Sequence, residues 1–253
     1  MIHIIDQQID DISYLMVEKS TLQGKSCPTV IYFHGFNGER DASLTIAYRI
    51  AQNNIRVILP DALMHGDREG EITQTEKELA FWDIVLQNVK EVEIIKNELD
   101  KLNLIGEHKI GIGGTSMGGI TTSAVLTKYD WVDAGVIVMG APNLSEYASR
   151  LVGDFNEANE KKIPEKELEK AKEMIKTLDL SLNPTSIENV PLLFWHGEED
   201  DVVPMKYALN FYEKNKSLPN IQMKFIKEAG RAHNVSRLAM NETAKWFTNH
   251  LQK

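Results

Sequence analysis

Hydrophobic and polar positions alternate in two rhythms along this chain. Short apolar runs rich in Val, Ile and aromatic residues recur, and between them lie longer stretches with apolar residues three and four apart. The first rhythm predicts an N-terminal hairpin over residues 2–18 and then buried strands at 28–34 (PTVIYFH), 55–60 (IRVILP), 108–114 (HKIGIGG), 134–140 (AGVIVMG), 191–197 (PLLFWHG) and 221–227 (IQMKFIK). The second predicts helices at about 42–53, from Thr75 to about Lys101, over Met117–Lys128 and from about Asn234 to His250. In the long helix, Leu79, Trp82, Leu86, Val89 and Val92 form the expected apolar stripe. Strands that alternate with helices at this spacing imply an α/β fold, with a mostly parallel central sheet flanked by helices.

One stretch breaks the rhythm. Residues 143–189 contain no strand pattern, and 156–178 are crowded with Glu and Lys. Charge runs of this kind usually form solvated helix faces. Leu168, Ala171, Met174, Ile175 and Leu178 nevertheless share helical spacing and need a surface to bury them. The expected organisation is one domain over residues 1–253, with a small helical cap inserted at about 143–189. In that arrangement Met174 would line the pocket beneath.

Composition narrows the chemistry. The single cysteine, Cys27, cannot form an intrachain disulfide and cannot build a multi-thiolate zinc site. One unpaired thiol suits a reducing compartment, which points to the cytoplasm. The N-terminus has no basic leader, and no run approaches the roughly 18 apolar residues of a membrane span. A net charge of −9 repels phosphate backbones and anionic lipid, so neither nucleic acid nor membrane is an expected partner. Nothing in the pattern sets an oligomeric state.

The chemistry is carried by Gly114-Thr115-Ser116-Met117-Gly118, a G-x-S-x-G motif between the strand KIGIG and a helix. This strand–turn–helix setting makes a nucleophile elbow, in which small residues two before and two after the serine let the chain turn sharply. The glycine spacing fits neither a phosphate-binding loop nor a dinucleotide fingerprint. A serine hydroxyl needs a base. His233 lies between the last strand and the last helix, on the same sheet edge as Ser116, whereas His250 falls within a helix and His3 and His108 lie at the wrong strand ends. An orienting acid is expected after the strand PLLFWHG, where Glu198, Glu199, Asp200 and Asp201 cluster. His65, Asp67 and Arg68 follow another strand on this edge. A loop-anchoring Asp–Arg pair explains them better than metal ligation, because Arg68 is cationic and no third ligand is placed by sequence.

HGFNG at 34–38, PDALMHGDRE at 60–69, GTSMGG at 114–119, HGEEDDVVP at 196–204 and GRAH at 230–233 together resemble the α/β-hydrolase superfamily. The narrower likeness is to its short prolyl-oligopeptidase-like and dienelactone-hydrolase-like serine esterases. The chain departs from both: dienelactone hydrolases carry cysteine where Ser116 stands, and there is no room for an oligopeptidase propeller. The resemblance implies Asp200 as the acid, on the pattern H-G-x-x-D-x-x-V-P, with Asp201 as the alternative. It implies an oxyanion hole made by the backbone N–H groups of Phe36 and Met117, with His34 supporting the loop and His34 and His65 near the pocket. It implies hydrolysis of small-molecule carboxylic esters, of short acyl chains if the cap limits the pocket, through an acyl-enzyme and without cofactor or metal. Peptide or thioester hydrolysis on the same triad is the alternative within the class. A non-catalytic binding protein is the alternative outside it.

Overall fold

A computed structural model describes residues 1–158 and 165–252. Within them the hairpin strands β1 (Ile2–Ile9) and β2 (Ile12–Lys19) precede β3 (Thr29–Phe33), β4 (Arg56–Pro60), β5 (Ile110–Thr115), β6 (Ala134–Val138), β7 (Leu192–Gly197) and β8 (Met223–Glu228). The helices are α1 (Leu44–Ala51), α2 (Gln74–Leu79), α3 (Phe81–Lys101), α4 (Met117–Lys128), α5 (Leu144–Ala158), α6 (Glu165–Thr177), α7 (Lys206–Asn215) and α8 (Arg237–Leu251). The strands form one sheet in the order β1-β2-β4-β3-β5-β6-β7-β8. The pairs β1–β2 and β2–β4 are antiparallel, and every pair from β4 to β8 is parallel.

Period-two alternation explains how the sheet is covered. Successive side chains of a strand point to opposite faces. In β3, Ile31 and Phe33 enter a core built with α3, α4 and α7, while Val30 and Tyr32 enter one built with α1 and α8. Phe194 and Trp195 of β7 divide in the same way. The glycines of β5 follow from this, because a Cβ at Gly111 would meet the Phe247 ring of α8 at 2.7 Å.

Several boundaries differ from the pattern-based expectation. The helix expected at 42–53 opens as a 3-10 turn over Arg40–Ser43 before α1 begins. The long helix expected from Thr75 is two helices, broken at Ala80, whose ψ of 2° leaves the helical range. Beyond the break, Phe81 packs against Phe36 at 5.6 Å and Leu79 is left 52% exposed, so the buried stripe is Ile84, Val85, Val89, Val92, Ile95 and Leu99. Strand β8 runs Met223–Glu228 rather than 221–227, and α8 starts at Arg237, where the Ser236 hydroxyl caps Ala239 N–H, rather than at Asn234.

Among the described residues of 143–189 there is no strand. The buried Asp179 carboxylate ties the two ends of this segment together. It accepts from Ser145 N–H at the start of α5 (2.8 Å) and from Ser181 N–H (2.9 Å). Ile175 of α6 is buried in the core, whereas Met174, expected in the pocket wall, is 41% exposed. Of the expected stripe, Ile175 of α6 and Leu178, just past its end, face inward, and Met174 does not. The side chains of Leu168 and Ala171 lie outside the described residues.

Candidate active site

The parallel strands bring their carboxyl ends to one edge, and the candidate residues gather there. Ser116 follows β5, the loops of His34 and His65 follow β3 and β4, Asp200 follows β7 and His233 follows β8. Because β3 pairs directly with β5, the 34–38 loop lies against the serine; a Cβ on Gly35 would sit 3.5 Å from the Ser116 Cβ.

Ser116 occupies a left-handed conformation, with φ 56° and ψ −115°. A non-glycine residue holds such geometry only where its surroundings enforce it. Here Ser116 N–H donates to Val138 O at 2.9 Å, and the flanking glycines allow close backbone approach. A Cβ on Gly114 would lie 2.2 Å from Gly118 O, and one on Gly118 would lie 2.2 Å from Phe33 O. No other residue fits either position, which is the physical content of the G-x-S-x-G spacing. The turn exposes Ser116 Oγ at the N-terminus of α4, where the first amides, beginning with Met117 N–H, have no intrahelical acceptor.

His233 joins the serine to the acid. Its Nε2 lies 2.8 Å from Ser116 Oγ, and its Nδ1 lies 2.8 Å from Asp200 Oδ2. Asp200 is buried and fully engaged. Oδ1 accepts from Val202 N–H (3.1 Å) and Val203 N–H (2.9 Å), and His196 Nε2 stands 3.3 Å from Oδ2. Burial alone would push the Asp200 carboxyl up. The donors from His196, His233 and Val203 outweigh it and hold the carboxyl well below the usual carboxylate range. The neighbouring Asp201 is solvent-exposed, and its carbonyl accepts from Arg150 Nη2 of α5 at 2.9 Å. That contact seats the 143–189 segment against the acid loop.

The remaining candidates are scaffold around this edge. His34 is 2% exposed, and its Nε2 accepts from Ala62 N–H at 3.0 Å, which leaves Nδ1 as the donor to Gly35 O at 2.8 Å. Burial lowers its pKa to about 4, with a nearby His65 and Lys77 acting in the same direction, so the ring stays neutral. His65 is also buried rather than open to a pocket, with Nδ1 2.8 Å from Leu63 O and Nε2 in contact with Phe36 O. The expected Asp67–Arg68 anchor is not formed. Asp67 pairs with Arg40 (2.6 Å), and Arg68 makes a two-pronged contact to Glu91 (2.7 and 2.8 Å). Sequence reasoning missed Arg40, Glu91 and His196. The first two lie far from the motif along the chain, and His196 reads as part of its own HG dipeptide. Among the described residues, no group of three or more His, Cys, Asp or Glu side chains is arranged to hold a metal ion.

Comparison with known proteins bears directly on this geometry. The prolyl oligopeptidase family profile matches residues 87–253, the part of the chain that carries Ser116, Asp200 and His233. The chain belongs to the prolyl oligopeptidase family. It is 38% identical to YitV of Bacillus subtilis (strain 168), named as a candidate esterase, over 99% of this chain and 100% of that one. It is 26% identical to the esterase YjfP of Escherichia coli (strain K12), over 99% and 100%. Among solved structures, TT1662 of Thermus thermophilus superimposes with a TM-score of 0.77 at 15% identity, covering 100% of this chain and 99% of that one. An acylaminoacyl peptidase of Pyrococcus horikoshii superimposes with a TM-score of 0.73 at 17% identity; the chain spans 42% of it. The fold is that of the α/β-hydrolases. None of the described helices is long and apolar enough to cross a membrane.

Proposed function

We propose that this chain hydrolyses small carboxylic esters through an acyl-enzyme on Ser116, with His233 as base and Asp200 as the orienting acid. A serine hydrolase of the carboxylesterase kind agrees with the family and with the end-to-end esterase relatives. The observation that carries the residue assignment is the imidazole of His233, 2.8 Å from both Ser116 Oγ and Asp200 Oδ2. His233 takes the Oγ proton as the serine attacks the ester carbonyl, then returns it to the leaving alkoxide; water repeats the cycle to release the acid. Asp200 stabilises the transient imidazolium. The Phe36 and Met117 N–H groups receive the negative charge on the tetrahedral intermediate.

The segment at 143–189 caps the site in this reading and restricts it to short acyl chains, supported by the seat of α5 on the acid loop. Leu178→Ala should relax chain-length preference on a series of p-nitrophenyl esters; unchanged preference with lowered stability would leave this segment a packing element only. Peptidase action is less favoured, because the relatives matched along their whole length bear esterase names. A cytoplasmic location fits the lone Cys27, whose burial keeps the thiol protonated and inert. A fluorophosphonate probe tests the assignment: it should label the wild-type chain at Ser116 and fail to label Ser116→Ala. Labelling elsewhere, or none on a folded chain, would overturn it.

A further inference from the structure

Besides the Arg40 side-chain pairs to Asp61 and Asp67, three contacts staple the loop after β4 to the loop after β3. Ala62 N–H donates to His34 Nε2 (3.0 Å), Arg40 N–H donates to Asp61 Oδ1 (2.9 Å), and His65 Nε2 meets Phe36 O. Of the three, only the His65 contact grips the peptide that follows Phe36.

His65 is aimed there at a conformational cost. The residues on both sides of it are left-handed, Met64 at φ 62° and Gly66 at φ 53°. A left-handed methionine is disfavoured because its Cβ crowds the carbonyl oxygen that follows. Gly66 has no substitute, since a Cβ there would lie 2.3 Å from the Asp61 carboxylate. The ring that results is 1% exposed and packs edge-on to the Phe36 ring at 5.6 Å. Both its nitrogens face carbonyl oxygens, Leu63 O in its own loop and Phe36 O across the gap.

We propose that His65 is a positioning residue of the oxyanion site, donating from Nε2 to Phe36 O and so fixing the backbone that presents Phe36 N–H to the reacting carbonyl. The proposal rests on the reading of Ser116 as nucleophile. Its geometry is a matched pair. The Gly35–Phe36 peptide is held through Gly35 O by His34 Nδ1 (2.8 Å) and Gly38 N–H (3.0 Å), and the Phe36–Asn37 peptide is held through Phe36 O by His65. With both peptides pinned, Phe36 can turn about neither its φ nor its ψ. Releasing the second frees rotation about Phe36 ψ and leaves the peptide that carries Phe36 N–H held from one side only, and a misplacement of about 1 Å can cost on the order of a hundredfold in rate.

Two amide variants separate this role from simple loop packing. A glutamine places its NH2 group near the site of Nε2, toward Phe36 O. An asparagine places its NH2 near Nδ1, toward Leu63 O. His65→Asn should lower kcat roughly tenfold to a hundredfold with KM little changed, because an oxyanion donor is used in the transition state. His65→Gln should keep kcat within about threefold of wild type. Overturning results are wild-type kcat in the asparagine variant, a change in its KM alone, or equal loss in both. If the asparagine variant does not fold, a folded glutamine variant that has lost kcat more than about tenfold contradicts the proposal by itself. Fluorophosphonate labelling of the wild type separates the two levels of failure. A wild type that does not label at Ser116 removes the nucleophile reading, whereas a labelling wild type with an unimpaired asparagine variant removes only the role of His65.

Discussion

Replacing Asp200 with asparagine is a severe test of the acid assignment, because the hydrogen bonds around the carboxylate dictate how the amide must sit. Oδ1 accepts from two backbone donors, Val202 N–H at 3.1 Å and Val203 N–H at 2.9 Å. An amide NH2 in that position would face two fixed backbone donors, whereas at Oδ2 it faces His233, whose ring can change tautomer, and His196, whose Nε2 already bonds Val203 O at 2.7 Å, so the asparagine carbonyl takes the Oδ1 position and the NH2 that of Oδ2. It then points at His233 Nδ1, 2.8 Å away. The imidazole must accept there, which moves its proton to Nε2 and leaves no lone pair for the Ser116 hydroxyl at 2.8 Å. The overall geometry survives and the tautomer is wrong. In the serine protease that serves as the general template, the equivalent change lowers kcat about ten-thousandfold. A loss of about three to four decades here corresponds to about 4–5 kcal/mol of transition-state stabilisation. Asp201→Asn alters an exposed side chain and should change kcat less than about twofold. The assay is steady-state hydrolysis of p-nitrophenyl acetate, with thermal melting to show that both variants fold. Asp200→Asn retaining more than about a tenth of wild-type kcat, or Asp201→Asn proving the more damaging, would refute the reasoning.

The neutral, buried His34 makes stability depend on pH. Its pKa is about 4 when folded against an ordinary value of 6.5, so between those values the unfolded chain binds a proton that the folded chain refuses. Its contribution is whole above the ordinary value and falls by about 3 kcal/mol as pH drops to the folded value; in urea titrations His34→Gln should show a shallower decline, and parallel curves would contradict this. In α6, Ile175→Ala should lower unfolding free energy by about 2–4 kcal/mol, whereas Met174→Ala should stay within about 0.5 kcal/mol; equal effects in urea melts would show that Met174 is as buried as Ile175. Arg56, fully buried, donates to Glu18 Oε2 and to the carbonyls of Leu104, Leu22 and Lys25. Arg56→Met strands the Glu18 carboxylate and should cost about 3–5 kcal/mol in the same measurement, and a loss under about 1 kcal/mol would mean that water reaches the site.

What could be read from the sequence is what depends on local rules. The strands were legible because Val, Ile and aromatic residues cluster in runs bounded by turn residues. The elbow was legible because steric contact at Gly114 and Gly118 admits no side chain. Proposing Asp200 as the acid among four clustered carboxylates needs the motif resemblance, since the groups that surround it are the Val202 and Val203 amides and His196, none of which shows a function by residue type. The break at Ala80 is not legible because helical periodicity continues through it; beyond it Phe81 packs against Phe36, more than forty residues earlier. The partners of Asp67 and Arg68 were mistaken for the same reason, as Arg40 and Glu91 reach them only through the sheet order. Met174 and Ile175 are not separable in the sequence, because both are apolar and adjacent on a charged helix, and only packing shows that Ile175 alone of the two is buried.

The central claim is that Ser116, activated by His233, forms a covalent intermediate with its substrate. The direct measurement is mass spectrometry of the intact chain after a fluorophosphonate probe, followed by peptide mapping, on wild type, Ser116→Ala and His233→Ala. One adduct is expected on the wild type, mapped to Ser116. None is expected on Ser116→Ala, and labelling slowed by orders of magnitude on His233→Ala. An adduct on another residue, or a His233→Ala variant that labels at the wild-type rate, would contradict the claim.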